Sequence, residues 1–394
     1  MSEAIFDTQE FTQRHARVRD KMREEGLDAI IAYSNSKVKG PVRYLGNYYT
    51  RFTGAQNTRD GRYFQFGSCA ALFPRDGEPR LVTDQPWDVE RARELSIFAN
   101  TGYSENFGLD LGTAVAADGY HRIGIDNWFI FPAPHYLGLR ERAPDAELVP
   151  TMLIEDVYRV KSARELELMR NAEQAAVRGV EAGRAAVDVG VSEYDFALAA
   201  DYAIRNHGDL ETAGNAIIAG GPNTATGSGL PRRADAHVMR PGDWAMFDLC
   251  PAYEGYAGDI CRMVVAGRVD DLDSRLKAMY ELNREINERV IEAVRPGVTP
   301  AQLNALAVDI ADRTDYGKYK IELLGHSLGP DMHDPPDYYY DNQPLEENMT
   351  ITIEPCFLMP GVGGCRVEDV VVVAPGGCEV LSADSPKELR GSAD

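Results

Sequence analysis

Two pairs of acidic residues in the second half of the chain interrupt runs that are otherwise apolar and rich in β-branched side chains. Asp248 and Asp259 lie in DWAMFDLCPAYEGYAGDICRMVVAG, residues 243–267. Glu354 and Glu368 lie in TITIEPCF (350–357) and CRVEDVVVV (365–373). Strands are poor in Asp, and a buried carboxylate without a partner costs several kcal/mol. Facing residues of an antiparallel hairpin share a constant index sum. Asp248 and Asp259 sum to 507, with the midpoint between Tyr253 and Glu254; Glu354 and Glu368 sum to 722, with the midpoint at Gly361. Each pair is expected to face across its hairpin with Cβ atoms about 5 Å apart. Two anions that close raise each other's pKa unless a cation lies between them.

Between the hairpins, GHSLGPDMHDPP (325–336) carries His326 and, seven residues on, His333. A single histidine is more often a hydrogen-bonded structural residue than a ligand. Here Gly325 and Gly329 permit close backbone approach, and an imidazole supplies the nitrogen donor that carboxylates lack. Four carboxylates (Asp248, Asp259, Glu354, Glu368) with His326 suit two divalent ions of the Mn, Fe, Co or Zn type better than a Ca or Mg cage.

The elements that must hold these residues are legible in outline. Helix formers over 10–26 end at Gly26; LDAIIAY (28–34), CAALF (69–73) and RIGIDNW (122–128) read as strands. That alternation predicts an α/β domain over residues 1–157. A second section, 158–394, opens with the capping box Ser162–Glu165 and a long Ala/Glu/Arg-rich helix to about residue 182. Ser192 with Asp195, and Thr299-Pro300, start further helices. Stretches 243–267, 320–328, 349–358 and 364–374 read as strands, so this section is α+β, and all five proposed ligands fall in it.

Bulk properties bound the function. The 394 residues are 44% hydrophobic and 26% charged, as in globular proteins, and exceed one ordinary core. A net charge of −21 argues against a nucleic-acid partner. No run approaches 18 apolar residues, and the start MSEAIFDTQEF has no signal-peptide pattern, so the expectation is a cytoplasmic protein without a membrane span. Six cysteines with no CxxC pair suggest neither a disulfide scaffold nor a zinc ribbon.

In these motifs the chain resembles the pita-bread metallopeptidase family, which includes aminopeptidase P, prolidase and creatinase. FDLCPAYEGYAGDICR corresponds to the two aspartates, GHSLGPDMHDPP to the histidines, TIEP and RVEDVVVV to the glutamates. The spacings of 11, 7 and 14 residues fit. RVRDKMREEGLDAIIAY and RYLGNYY are similar to the creatinase-type N-terminal domain. The resemblance implies a creatinase-like α/β N-terminal domain followed by a pita-bread catalytic domain, a homodimer, and cleavage of a C–N bond by metal-activated water. It further implies that Glu354 handles the proton of that water and that His333 contacts substrate, with Tyr256 a second candidate contact.

The sequence departs from the family pattern in three places. A segment like GxNxxxxH is usual upstream of the first aspartate; here GGPNTATGSGLP (220–231) puts Ser228 at the histidine position, with His207 and His237 as poor substitutes. Ser327 in GHSLG is nearer the creatinase form. Cys250, Cys261 and Cys356 each follow a ligand by two residues and Cys365 precedes one by three. Such thiols are ordinarily small buried hydrophobes; the sharper reading places some beside the metals. YYYD (338–341) is loop surface or an aromatic wall. Three functions compete: an Xaa-Pro peptidase, a non-peptidase hydrolase or lyase acting on a small zwitterion (as creatinase, ectoine hydrolase and dimethylsulfoniopropionate lyase do), and a metal-free binding scaffold, which predicts eroded ligands.

Overall fold

The computed structural model describes residues 5–51, 53–57, 63–206, 210–212, 216–225, 237–321, 324–337 and 342–394. Ser228, His207 and the YYYD stretch lie outside the described residues. The chain divides into two compact units, Met1–Tyr158 and Arg159–Asp394.

The first unit is built on a mixed six-stranded sheet. Its strands are β1 (Ala29–Asn35), β2 (Ser68–Pro74), β3 (Arg80–Thr83), β4 (Asn100–Tyr103), β5 (Arg122–Asp126) and β6 (Glu147–Thr151), in the order β4-β3-β2-β1-β5-β6. The central strands read as continuous apolar runs because both faces are covered. Ile30, Ala32, Ala71 and Phe73 pack on one side with Val18 and Met22 of helix α1 (Thr8–Glu25). Ile31, Tyr33, Leu72 and Ile123 pack on the other with α2 (Phe107–Asp118) and α3 (Ala133–Arg142). Gly26 ends α1 in the left-handed region at φ 67°, as its position after the helix formers predicts.

The second unit opens on α4 (Ala163–Ala186), started by the Ser162–Glu165 capping box, and α5 (Glu193–Arg205), started by Ser192 and Asp195. Strands β7 (Ile217–Gly220), β8 (Trp244–Leu249), β9 (Pro251–Tyr253), β10 (Tyr256–Ala257) and β11 (Ile260–Val265) follow, then α6 (Ser274–Ala293) and α7 (Pro300–Asp312). The chain closes with β12 (His326–Ser327), β13 (Asp334–Asp337), β14 (Thr350–Ile353), β15 (Cys356–Met359), β16 (Gly363–Arg366), β17 (Asp369–Ala374) and β18 (Gly377–Val380). β7-β8-β11 form one sheet and β13-β12-β14-β17-β18 another, with β15-β16 a separate ribbon. The strand expected over 320–328 shrinks, among the described residues, to His326–Ser327. Among the described residues no helix is long and apolar enough to cross a membrane.

The first hairpin is shifted from its expected register. Asp248 pairs with Cys261 and Tyr253 with Tyr256, an index sum of 509 and not 507. The cause is turn chemistry. Glu254 and Gly255 sit at φ 50° and 82°, the two left-handed positions of a two-residue hairpin turn. A sum of 507 would force Tyr253 into one of them, which a bulky side chain resists. The slip is two residues, so the face is preserved. Trp244, Met246, Cys261, Met263 and Val265 line one side of β8 and β11 and join the large core around α6. Asp248 and Cys250 continue that side by strand alternation. Asp259 is diagonal to Asp248 and lies across from Cys250.

The second hairpin keeps the expected sum of 722: Ile353 pairs with Asp369 and Cys356 with Arg366. Gly361, at φ 75°, supplies the turn. Between these two pairings the ladder is interrupted at Glu354-Pro355 and Val367-Glu368. Their backbone groups find partners elsewhere, as buried amides must. Asn287 Nδ2 donates to Ile353 O at 2.8 Å, Asn283 Nδ2 donates to Pro355 O, and Val367 N donates to Asn283 Oδ1 at 2.8 Å. Glu354 N donates to Leu324 O and Glu368 N to Cys261 O. Both glutamates thus stand where two ribbons part, held by backbone bonds that leave their carboxylates free to point inward.

Candidate metal centre

His326 is aimed by a bulge. β12 pairs His326 with Asp337 and Ser327 with Asp334, so the ladder slips between adjacent residues. His326 N donates to Thr352 Oγ1 at 2.9 Å, and Ser327 Oγ donates to Thr350 O at 2.7 Å. Ring Nδ1 lies 3.0 Å from Ser327 O, a contact that fixes the proton on Nδ1 and leaves the Nε2 lone pair free. Nε2 lies 3.4 Å from Glu354 Oε1 and 3.6 Å from Asp259 Oδ2. The glycines that frame this segment are there for close approach. A Cβ on Gly325 would come within 2.4 Å of Thr352 O, and one on Gly329 within 2.6 Å of Lys161 Cε. Lys161 and Asp334 form a fully buried ion pair (Nζ–Oδ2 3.7 Å) that anchors the loop after Gly329.

All five sequence-proposed ligands come together in one buried cluster. Ligand atoms of Asp259, His326 and Glu368 lie within 4.8 Å of one another, as do those of Asp248, Cys250 and Asp259. Asp248, Asp259, Glu354 and Glu368 are between 0% and 6% exposed. Burial pushes the Asp248 carboxyl up, against the pull of Arg366. Burial, then Asp248 and Glu354, push Asp259 well above the carboxylate range; burial, then Asp259, Glu354 and Asp248, do the same to Glu368. Glu354 is raised by burial and partly restrained by Arg366. His326 is lowered to about 4 by burial, so its imidazole is neutral at pH 7.

Sequence reasoning missed Arg366. Its Nη1 donates to Asp248 Oδ2 and lies 3.0 Å from Glu354 Oε2. The signal was present, since residues two apart on a strand share a face and Arg366 precedes Glu368 by two. One guanidinium offsets one of four carboxylates, and both Glu368 oxygens still lack any hydrogen-bond partner. A fully buried carboxylate with both oxygens orphaned, among three other acids and a neutral imidazole lone pair, is a donor set for divalent cations. The residues fit the metal centre that the sequence implied.

Two more residues escaped the sequence. Glu173 of α4 is fully buried, accepts the Asp259 N–H at 2.9 Å, and is raised to about 8, chiefly by burial. Arg262, fully buried, donates to Cys261 O, Glu368 O, Ser385 O and Asp369 Oδ1, and so ties the first hairpin to the second.

The remaining candidates lie at different depths. His333 is partly open to solvent and packs its ring 4.2 Å from that of His326; burial of the ring against its neighbours, then His326, lowers it to about 4. Tyr256 is fully buried and donates its hydroxyl to Glu165 at 2.9 Å, so it braces the start of α4. His237 is paired with Asp243 at 2.9 Å, and its backbone N–H goes to Glu193. All six cysteines are free. Cys365 sits in the apolar core, and Cys356 adjoins Arg366 and Glu354.

Comparison with known proteins identifies the family of both units. The pattern for Creatinase/Prolidase N-terminal domain matches residues 14–160, and that for Metallopeptidase family M24 matches residues 167–375. The chain is 26% identical over 367 residues to an Xaa-Pro dipeptidase of Pyrococcus horikoshii, covering 92% of this chain and 94% of that protein. It is 28% identical over 379 residues to an Xaa-Pro dipeptidase of Lactobacillus delbrueckii subsp. lactis, covering 94% and 96%. The structure of an Xaa-Pro dipeptidase from Bacillus anthracis superposes with a TM-score of 0.81 at 26% identity, covering 97% of this chain and 99% of that one. The M24 match spans more than half of the chain and contains every proposed ligand: the chain belongs to metallopeptidase family M24.

Proposed function

We propose that this chain is an Xaa-Pro dipeptidase with a dinuclear metal centre, working as a cytoplasmic homodimer. The observation that carries the metal reading is the convergence of Asp248, Asp259, His326, Glu354 and Glu368 around the unpartnered Glu368 carboxylate. The substrate class is supported by the relatives, which are Xaa-Pro dipeptidases over nearly their whole length. Two divalent ions held by those five side chains would supply Lewis acidity toward the scissile carbonyl and a water of lowered pKa.

The protein's own groups do the rest. Glu354 takes the proton of the attacking water: burial raises its proton affinity, and Arg366 fixes one oxygen while the other stays near His326. His333, neutral and at the open side, offers one donor and one acceptor to the bound dipeptide. Arg366 holds Asp248 and Glu354 in place whether the carboxylates face metal or proton.

The test is turnover of Gly-Pro and Ala-Pro by protein reconstituted with Mn(II), Co(II) or Zn(II). The expected result is prolyl-dipeptide cleavage that a chelator abolishes and metal restores. Metal-loaded protein inert toward both dipeptides would overturn the substrate assignment. One observation favours a second reading. Ser228 replaces the family's histidine, which removes a donor for developing charge. In that reading the same centre acts on a small zwitterion, and creatine, ectoine and dimethylsulfoniopropionate belong in the same assay.

A further inference from the structure

Cys250 does not belong to the five-residue donor set, yet its sulphur is inside it. Cys250 Sγ lies 3.2 Å from Asp259 Oδ1 and 3.7 Å from Asp248 Oδ1. The three side chains are buried, and their ligand atoms lie within 4.8 Å of one another. Register explains the placement. With the hairpin sum at 509, Cys250 is two residues beyond Asp248 on one strand and falls across from Asp259 on the other. The register expected from sequence would have separated them.

We propose that Cys250 is a thiolate ligand of this centre, bound to the same ion as Asp248 and Asp259. The inference rests on the metal reading above and goes beyond it. A thiol hydrogen bond accounts for the shorter contact, to Asp259, and leaves the placement of the same sulphur beside Asp248 to strand register alone. Shared coordination accounts for both contacts. With metal–sulphur bonds of about 2.3 Å and metal–oxygen bonds of about 2.1 Å, donors at 90–110° on one ion stand about 3.1–3.6 Å apart. The 3.2 Å contact to Asp259 falls within that separation, and the 3.7 Å contact to Asp248 lies about 0.1 Å beyond it. An independent feature marks the cluster as a ligand site: the Glu368 carboxylate, fully buried with neither oxygen partnered. Coordination exchanges the thiol S–H for a sulphur–metal bond. The proton leaves to solvent and no electron is transferred. A thiolate shifts an otherwise hard oxygen-rich site toward Zn(II), Co(II) and Fe(II) and away from Mn(II).

Anaerobic titration of the metal-free protein with Co(II) tests this without any activity assay. Visible d–d absorption reports Co(II) in the site; a near-ultraviolet thiolate-to-Co(II) charge-transfer band reports sulphur on the ion. The expected result is both absorptions in the native chain, loss of the charge-transfer band alone in Cys250→Ser, and both retained in Cys261→Ser. In competition, Cys250→Ser should lower the Zn(II)-to-Mn(II) affinity ratio by about tenfold or more. Native protein with d–d absorption but no charge-transfer band overturns the thiolate and leaves the metal reading standing. So does a band that persists in Cys250→Ser, or one lost only in Cys261→Ser. No d–d absorption in the native chain overturns both.

Discussion

Arg366 and Glu354 approach to 3.0 Å inside a cluster of four acids, and the same guanidinium nitrogen donates to Asp248. The contact sets the charge balance of the centre, because one fixed cation stands among four carboxylates. Arg366→Lys keeps the charge but loses the planar fork. We expect metal affinity to fall about 10- to 100-fold, as for other residues that orient ligands, with the fold intact. Isothermal titration with Mn(II) or Co(II) measures it, and circular dichroism checks the fold.

Glu368 gives a prediction of opposite sign in the two metal states. Its carboxylate is buried without a hydrogen bond and is pushed well up by burial and three neighbouring acids. Glu368→Gln removes the ionisable group and adds N–H donors from which the neighbouring acids can accept. Metal-stripped protein should therefore gain about 1–3 kcal/mol in stability. The stabilisation that metal confers on the native chain should shrink. Paired thermal melts with and without chelator read both effects.

Gly329 is a packing prediction. A methyl there meets Lys161 Cε at 2.6 Å and Asp334 Oδ2 at 2.7 Å, both buried and held by their own ion pair. Gly329→Ala should cost about 1–3 kcal/mol by overpacking. Displacing the loop between His326 and His333 should also weaken substrate binding more than metal binding. Urea denaturation and KM against metal affinity separate the two.

Acid should attack the tie between the hairpins. Burial raises the Asp369 carboxyl, but Arg262 and Lys387 outweigh it and hold the group at about 2. The unfolded chain binds this proton first, near pH 3.9, so the contribution is complete above about pH 4 and is lost as pH falls toward 2. Its size is about 2–3 kcal/mol. Urea midpoints measured across that window should fall in the native chain and flatten in Asp369→Asn. The variant should also be less stable at neutral pH, because buried Arg262 loses its carboxylate.

Much of this was legible in the sequence because the signals are local. Ser162 builds the capping box its spacing foretells, Ser192 and Thr299 start the helices expected of them, and the short apolar runs around Ile30, Ala71 and Ile123 become central strands. The second hairpin keeps its expected register because Gly361 marks its turn. The first lies two residues from its expected register because the hydrophobic pattern is blind to a slip of two, and only the positive φ demanded at Glu254-Gly255 decides it. That slip separates a facing pair of aspartates from the observed arrangement, in which Cys250 stands between them. Asn283, Asn287 and Glu173 act through partners far away in sequence, so no spacing rule reveals them; the two-residue spacing of Arg366 and Glu368 marks a shared face, but the contact of Arg366 with Asp248 lies 118 residues away in sequence.

Metal stoichiometry of the purified chain tests the central claim most directly, by equilibrium dialysis against Co(II) followed by elemental analysis. The convergence of five donors predicts two ions per chain, falling to one or none in Asp259→Asn, whose side chain belongs to both donor groups. A native chain that retains no more metal than a variant with Asp248, Asp259, Glu354 and Glu368 all converted to their amides would contradict it.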